Sequence, residues 1–282
     1  MPCPFLREGR GLYCHKAPIR KLLLDGPGVT GGGRCTSPDY TSCDLLGKDD
    51  LGHERCPHLE EVQLQYCAAS PITKLVPLSE TQRSPCTSTG YRYCDSYLLL
   101  ARPHQQSAQP ADLLFAPNHM WLEVEDAGRC HIGIDAFLAK TAGKVEKVTF
   151  VSTQGTHRPA VALTVNSVEW PLIFPNPLLI ERVNTHLRAD PARVTTDPYG
   201  TGWLFEGWEL PGRTRAGLMG GEQAKAWLTE ENQRLAYMIQ EVLGIAGDGG
   251  LAEPGVAQML PRENVVALFQ RFFSKRDWTL EE

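Results

Sequence analysis

The sequence lacks the features of a membrane protein and of a nucleic-acid-binding protein. It has no apolar run of the roughly 18 to 20 residues that a helix needs to cross a bilayer. Its N-terminus carries Cys, Arg and Glu where a secretory signal peptide has an apolar core. Lys and Arg form no dense block and the formal net charge is −5, so the positive charge that attracts phosphates is missing. We expect a cytoplasmic protein with no membrane insertion and no nucleic-acid partner.

The common signatures of catalytic sites are also missing. The sequence has no Gly-x-Ser-x-Gly elbow, and its glycine-rich segment 26–33 is not followed by the Lys-Ser/Thr of a phosphate-binding loop. The eight His residues form no His-x-x-x-His pair that could hold a metal from one helix face. We predict that the protein is not an enzyme.

Turn-forming residues, in contrast, are abundant: 26 Gly and 21 Pro among 282 residues, which favours short strands over long helices. The hydrophobic share of 42% and the charged share of 22% are typical of a folded globular chain. The length is sufficient for about two domains. We predict a mainly β fold with some helix, of the α+β class.

An internal repeat occupies the first third of the chain. With an offset of 53 residues, the segment that begins at Cys3 aligns with the segment that begins at Cys56, and 10 of 20 positions are identical. Each copy has four cysteines in the same frame. They are Cys3, Cys14, Cys35 and Cys43 in the first repeat (1–50), and Cys56, Cys67, Cys86 and Cys94 in the second (51–103). Because the segment between the second and third cysteines differs in length between the copies, we expect a surface loop there.

The repeated cysteines predict a metal-binding module over 1–103. Four thiolates per repeat fit a tetrahedral zinc or an iron–sulfur cluster, although neither repeat has the Cys-x-x-Cys pair that such sites often use. A Pro after the first Cys of each copy favours the iron–sulfur cluster. Buried structural thiols and disulfides are the alternatives. We predict one metal site per repeat, formed by the four cysteines of that repeat, and a core position for Cys130.

The middle of the chain changes character. From about residue 115, short β-prone runs alternate with turns, which predicts antiparallel sheets. The expected core residues are Trp121, Ile132, Ile134, Phe150, Val161, Leu163, Val183 and Leu204.

Three motifs in this region carry a family resemblance. They read APNHMW at 116–121, GIDAF at 133–137 and DPYGTGWLF at 197–205. In this order they resemble the motifs of the glycine cleavage system H protein, the lipoyl-carrying shuttle of its complex. The resemblance covers about 115–243 and implies the barrel-sandwich hybrid fold of lipoyl and biotinyl carriers.

The resemblance also implies a Lys that carries lipoate, in a hairpin reading Glu-Ser-Val-Lys-Ala. The corresponding segment 166–170 reads Asn-Ser-Val-Glu-Trp, so the position of the Lys is held by Glu169, or by Ser167 if Pro175 is aligned instead. No Lys occurs between Lys147 and Lys225. Only a primary amine forms the lipoyl amide, so we predict that this chain carries no lipoate.

The last part of the chain predicts two amphipathic helices, one over 222–243 and one after Pro261, with a flexible linker at 244–255. The second helix either packs back onto the domain or docks a partner through its aromatic residues. The domains expected are therefore 1–103, an H-protein-like domain at 111–243, and a linker with a helix at 244–282.

Taken together, these features predict a non-catalytic protein that joins two four-cysteine metal sites to an H-protein-like domain and acts in electron transfer or in docking of a protein partner. Two alternatives remain open. One is a carrier of the glycine cleavage type with unusual attachment chemistry, and the other is an adaptor whose thiols cycle between reduced and disulfide forms.

Overall fold

The structure is a computed structural model that describes residues 2–17, 21–25, 35–70, 74–78, 84–101, 112–125, 128–210, 215–243 and 255–274. The chain divides into two compact units, Met1–Leu100 and Ala101–Glu282. The segment after residue 243 is therefore grouped with the second unit. The predicted loop in the first repeat and the predicted linker at 244–255 lie almost entirely outside the described residues.

The first unit is built on one antiparallel sheet of four strands. The strands are β1 (Leu6–Cys14), β2 (Lys21–Asp25), β3 (Leu59–Cys67) and β4 (Lys74–Val76), in the order β2-β1-β3-β4. The two long central strands come from equivalent positions of the two repeats. Short 3-10 helices at Pro38–Ser42, Lys48–Asp50, Pro85–Thr87 and Thr89–Tyr93 follow the sheet strands in each repeat, and helix α1 (Asp95–Ala101) ends the unit.

The pairing of β1 with β3 relates the two repeats by an approximate two-fold axis. Arg10 lies opposite Gln63, which is the residue 53 positions later in the chain and therefore its equivalent in the second repeat. The register runs from there to the ends, where Leu6 faces Cys67 and Cys14 faces Leu59. Strands β1 and β3 are equivalent and run antiparallel. The start of each strand therefore lies beside the end of the other.

The second unit contains two antiparallel sheets. The strands are β5 (Leu114–Phe115), β6 (Met120–Val124), β7 (Arg129–Ile134), β8 (Val145–Phe150), β9 (Gly155–His157), β10 (Ala160–Val165), β11 (Val168–Ile173), β12 (Leu178–Val183) and β13 (Phe205–Glu209). One sheet has three strands in the order β11-β10-β8, and the other has six in the order β5-β6-β7-β13-β12-β9. Mixed α and β structure with two sheets is consistent with the fold expected from the resemblance.

The core of the second unit lies between these sheets and their helices. Seven of the eight predicted core residues are buried, and Val183 is only partly buried against the same cluster. Cys130 is 1% exposed, which confirms its predicted core position. Burial raises the pKa of its thiol to about 12, so this cysteine is an unreactive apolar side chain.

The helices of the second unit are α2 (Ala136–Ala142), α3 (Arg193–Thr196), α4 (Gly221–Leu243), α5 (Val256–Met259) and α6 (Arg262–Phe272). Helix α6 packs against β11, and its residues Val265, Leu268, Phe269 and Phe272 belong to the core. Its apolar face is therefore covered by its own chain, as the first of the two alternatives expected. None of the described helices is long and apolar enough to cross a membrane. The cytoplasmic location stays a prediction.

Candidate functional site

The three family motifs, at 116–121, 133–137 and 197–205, contact one another near the start of helix α2. The indole nitrogen of Trp121 donates to the carbonyl oxygen of Pro198 at 3.3 Å, and the backbone N–H of Ala136 donates to the Tyr199 hydroxyl at 2.9 Å. Gly133 lies against the indole, since a Cβ there would be 2.5 Å from a ring carbon of Trp121. These motifs therefore fix packing between β6, β7 and the loop that precedes β13.

The hairpin of β10 and β11 holds the positions that the family resemblance marks for lipoate. Val165 pairs with Val168, which leaves Asn166 and Ser167 as the two turn residues. Both have positive φ, 47° and 60°, as the tight turn favoured by antiparallel hairpins requires. Ser167 is exposed at the tip of this turn, whereas Glu169 is exposed on β11, beyond the turn. An arm that swings from the tip would have to start at Ser167.

The turn is held by the C-terminal segment. The side-chain amide of Asn166 donates to the carbonyl oxygens of Ala257 at 3.1 Å and of Leu260 at 3.3 Å. The backbone N–H of Ser167 lies 3.3 Å from both carboxylate oxygens of Glu146, which accept it. Helix α5 therefore covers one side of the turn, and β8 supplies the acceptor on the other.

Helix α5 is itself held closely against the domain. A Cβ at Gly143 would lie 2.3 Å from the Cα of Gly255, so the two backbones touch where α2 ends and α5 begins. The backbone N–H of Gly255 donates to the carbonyl oxygen of Lys140 at 2.8 Å, and the amide of Gln258 donates to that of Lys144 at 3.1 Å. Because both glycines have positive φ, a larger residue at either position would be strained.

Trp170 of β11 packs against helix α6. Its side chain is fully buried, and its ring stacks on Phe269 with 5.7 Å and on Phe273 with 5.1 Å between the ring centroids. The indole therefore supplies the contact that keeps the C-terminal helix on the hairpin.

A buried histidine lies under helix α4. His119 is completely buried, and its ring stacks on Phe137 and on Trp227 at 4.3 and 4.5 Å. Its Nδ1 is 2.7 Å from Asp135, and its Nε2 is 4.0 Å from Glu231. Burial alone lowers the pKa of His119, but the two carboxylates outweigh burial and raise it above its ordinary value. Sequence patterns did not predict this cluster, whose carboxylates lie 16 residues after the His and on α4.

A second buried ionic group lies on the six-stranded sheet. Glu206, which is 1% exposed, accepts from the guanidinium groups of Arg129 and Arg182, and its carboxylate is 3.7 Å from His131. These residues stand on neighbouring strands, so the contacts follow from the sheet register. A buried carboxylate with two arginine partners is a structural ion pair network.

In the first unit, the four cysteines of one repeat do not all come together, so the predicted grouping by repeat is wrong. The nine residues of β1 separate Leu6 from Cys14 by eight steps, or about 26 Å. Cys3 stays at the Leu6 end, because its carbonyl oxygen accepts from the Leu6 N–H at 3.0 Å. Two thiolates on one zinc lie within about 4 Å of each other. Cys3 and Cys14 therefore cannot bind the same ion.

Cysteines of both repeats instead lie at each end of the β1–β3 pair. At one end, Cys3 donates its N–H to the carbonyl oxygen of Cys86 at 2.8 Å, and Cys67 faces Leu6. At the other end, Cys56 donates its N–H to the carbonyl oxygen of Cys35 at 3.1 Å, and Cys14 faces Leu59. We define the first cysteine cluster as Cys3, Cys67, Cys86 and Cys94, and the second as Cys14, Cys35, Cys43 and Cys56.

The thiols of the first cysteine cluster influence one another. Burial raises the pKa of the Cys3 thiol, and the other three members of the cluster raise it further because like charges would meet there. No disulfide joins any of the nine cysteines, all of which are among the described residues. In the described part of the chain, no three His, Cys, Asp or Glu side chains converge in the arrangement of a metal site. The backbone thus brings the thiols to common ends without closing a coordination sphere.

Comparison with known proteins gives one consistent result. The family description of the glycine cleavage H-protein matches residues 113–231. Glycine cleavage system H protein 1 of Pseudomonas putida is 35% identical over 34% of this chain and 76% of its own length. A crystal structure of the glycine cleavage system H protein from Mycobacterium marinum covers 43% of this chain and 98% of that chain, with 22% identity and a TM-score of 0.37.

A further relative is matched over nearly its whole length. The glycine cleavage system H protein of Salinibacter ruber is 33% identical over 43% of this chain and 98% of its own length. The first cysteine-rich unit lies outside the residues that the family description matches, as do helices α5 and α6. Through the domain that includes 113–231, the chain belongs to the glycine cleavage system H protein family.

Proposed function

We propose that this chain is a member of the H protein family that does not carry lipoate. It joins a metal-binding cysteine unit to a docking domain for a protein partner and has no catalytic activity of its own. The observation that carries the proposal is the tip of the β10–β11 hairpin. The tip has Asn166 and Ser167 where a carrier needs an amine, and Asn166 is bonded to the C-terminal segment.

The absence of lysine from β10, β11 and the turn between them supports the loss of the carrier role. The nearest lysines in the sequence are Lys147 and Lys225, and neither is in the turn. Serine and glutamate offer no amine for an amide with lipoate. The contacts of helix α5 with the turn add a second obstacle, because an enzyme that attaches lipoate must reach the tip from outside.

The cysteine unit supports a metal-dependent role. Cysteines of both repeats lie at each end of one strand pair. Thiolates in fours are the ligand set of structural zinc and of iron–sulfur clusters. An iron–sulfur cluster would allow the unit to transfer electrons. Zinc would instead keep the unit folded, so that it could dock to a partner. The absorption spectrum of protein purified without oxygen separates the two, because an iron–sulfur cluster absorbs visible light and zinc does not.

The proposal is tested by co-expression with a lipoate ligase. A conventional H protein in the same cells is the control, and it must become modified. The intact mass of this chain should be that of the unmodified polypeptide. A lipoyl adduct mapped to residues 160–173 would overturn the loss of the carrier role and favour a carrier with unusual attachment chemistry.

A further inference from the structure

The two repeats exchange one cysteine each. We propose that each cysteine cluster is a separate metal site that takes three ligands from one repeat and the first cysteine of the other repeat. The inference rests on the metal-binding role proposed above and assigns the ligands of each site. The first cysteine cluster would combine Cys3 with Cys67, Cys86 and Cys94, and the second would combine Cys56 with Cys14, Cys35 and Cys43.

The length of β1 and β3 requires this exchange. Each strand has nine residues and starts three residues after the first cysteine of its repeat, while its last residue is the second cysteine. The two cysteines of one strand are thus at opposite ends of the sheet. Antiparallel pairing about Arg10 and Gln63 brings the first cysteine of one repeat beside the second cysteine of the other.

Backbone hydrogen bonds fix the same exchange at both ends. Cys56 is the equivalent of Cys3 in the second repeat, and Cys35 is the equivalent of Cys86 in the first. The backbone bond from Cys3 to Cys86 therefore has its counterpart in the bond from Cys56 to Cys35, and the two ends use equivalent contacts. Next to them, the N–H of Ala68 donates to the carbonyl oxygen of Phe5 at 2.9 Å. At the opposite end the equivalent bond runs from His15 to His58 at 3.0 Å. Two independent segments of the chain therefore converge on each cluster.

The fourth cysteine of each cluster is placed by a 3-10 turn. The N–H of Cys43 donates to the carbonyl oxygen of Tyr40 at 2.9 Å, and the N–H of Cys94 donates to that of Tyr91 at 3.0 Å. In each repeat these turns begin within three residues of the third cysteine, so the third and fourth thiols come from one compact segment. Four thiolates are a ligand set that binds zinc and iron.

The exchange makes the two repeats dependent on each other. Neither repeat alone contains a complete set of ligands that its own strand can bring together. Binding of a structural metal contributes to the free energy of folding of a small unit. Each metal site would therefore join the two repeats as well as stabilise one of them.

Cysteine alkylation in two matched variants of the full chain tests the assignment. Cys86→Ser removes one ligand of the first cluster, and Cys35→Ser removes the equivalent ligand of the second. Each zinc- or iron-loaded variant is treated briefly with N-ethylmaleimide, its metal content is measured, and the modified thiols are mapped by mass spectrometry. In Cys86→Ser we expect half of the metal to be lost and Cys3 to become reactive, while Cys56 stays protected. In Cys35→Ser we expect the reverse.

Each other result overturns a stated part of the assignment. If Cys56 becomes reactive in Cys86→Ser and Cys3 stays protected, the sites bind metal by repeat and the exchange is wrong. If either variant loses all metal and protection, there is one shared site. If the wild-type chain binds no zinc or iron and all eight thiols react, the metal-binding role fails together with the exchange. Cys130 is the internal control, since its buried thiol should stay unmodified throughout.

Discussion

The side-chain amide of Asn166 donates to the carbonyl oxygen of Ala257, across 91 residues of sequence and 3.1 Å of space. The first residue belongs to the turn where a carrier of this family would hold its cofactor, and the second belongs to a helix outside the part that the family description matches. This contact links the altered turn to the added C-terminal segment.

Asn166→Gly should loosen the C-terminal segment without disturbing the turn. Glycine accepts the positive φ of this position but cannot donate the two hydrogen bonds to the carbonyl oxygens of Ala257 and Leu260, so the free energy of unfolding should fall by about 1 to 2 kcal/mol. Ser167→Gly is the matched control, because it accepts the same turn geometry and leaves those bonds intact. Urea unfolding measures both. Equal stability of Asn166→Gly and Ser167→Gly would show that α5 does not depend on this contact.

A lysine at the tip should regain modification only when the turn is freed. We expect Ser167→Lys to be modified poorly by a co-expressed lipoate ligase and the double variant Asn166→Gly/Ser167→Lys to be modified more completely. Glu169→Lys, whose side chain leaves from β11 beyond the tip, should stay unmodified in either background. Intact mass gives the modified fraction. Full modification of Ser167→Lys alone would mean that α5 is no obstacle to the ligase.

Trp170→Ala should detach helix α6 from the hairpin. Removing a fully buried indole that stacks on two phenylalanines should lower the free energy of unfolding by about 3 to 5 kcal/mol. Amide hydrogen exchange in residues 262–272 should accelerate more than in β6 and β7. Glu169→Ala is the exposed neighbour that serves as control and should change little. Unchanged exchange in α6 would contradict the role given to Trp170.

The stability of the second unit should depend on pH through His119. Its pKa is higher in the folded than in the unfolded state, where it is about 6.5. The charged imidazole therefore stabilises the fold fully below about pH 6.5, and this contribution is lost as the pH rises through the folded-state pKa. His119→Gln should flatten that part of the pH profile of unfolding, whereas exposed His157→Gln should not. A wild-type profile that rises over this range would show the opposite sign.

The sequence anticipated the antiparallel sheets of the second unit and its two longest helices, because alternation and helical spacing are strong local signals. It did not anticipate helix α2, although Asp135 caps its first turn by accepting from the Leu138 N–H, and Gly143 with positive φ ends it. With those two residues read as helix boundaries, the segment could have been recognised. The cover of the hairpin by α5 could not, because it depends on contacts about 90 residues apart.

The cysteine grouping shows a different limit. The equal spacing of the cysteines in the two copies suggested that each copy forms its own metal site. The sequence does not show which cysteines the fold brings together. The deciding facts are the length of β1 and its pairing with β3, which place Cys3 and Cys14 at opposite ends. Strand pairing between two similar copies leaves no local signal, so the exchange had to come from the structure.

The central claim is that one chain combines metal-binding cysteine clusters with an H protein domain that carries no lipoate. Native mass spectrometry of the full chain tests both halves at once, on protein purified without oxygen from cells that co-express a lipoate ligase. The predicted result is a native mass that exceeds the polypeptide by metal at two sites, and a denatured mass equal to that of the bare polypeptide. A lipoyl increment in the denatured mass, or a native mass without metal, would contradict the claim.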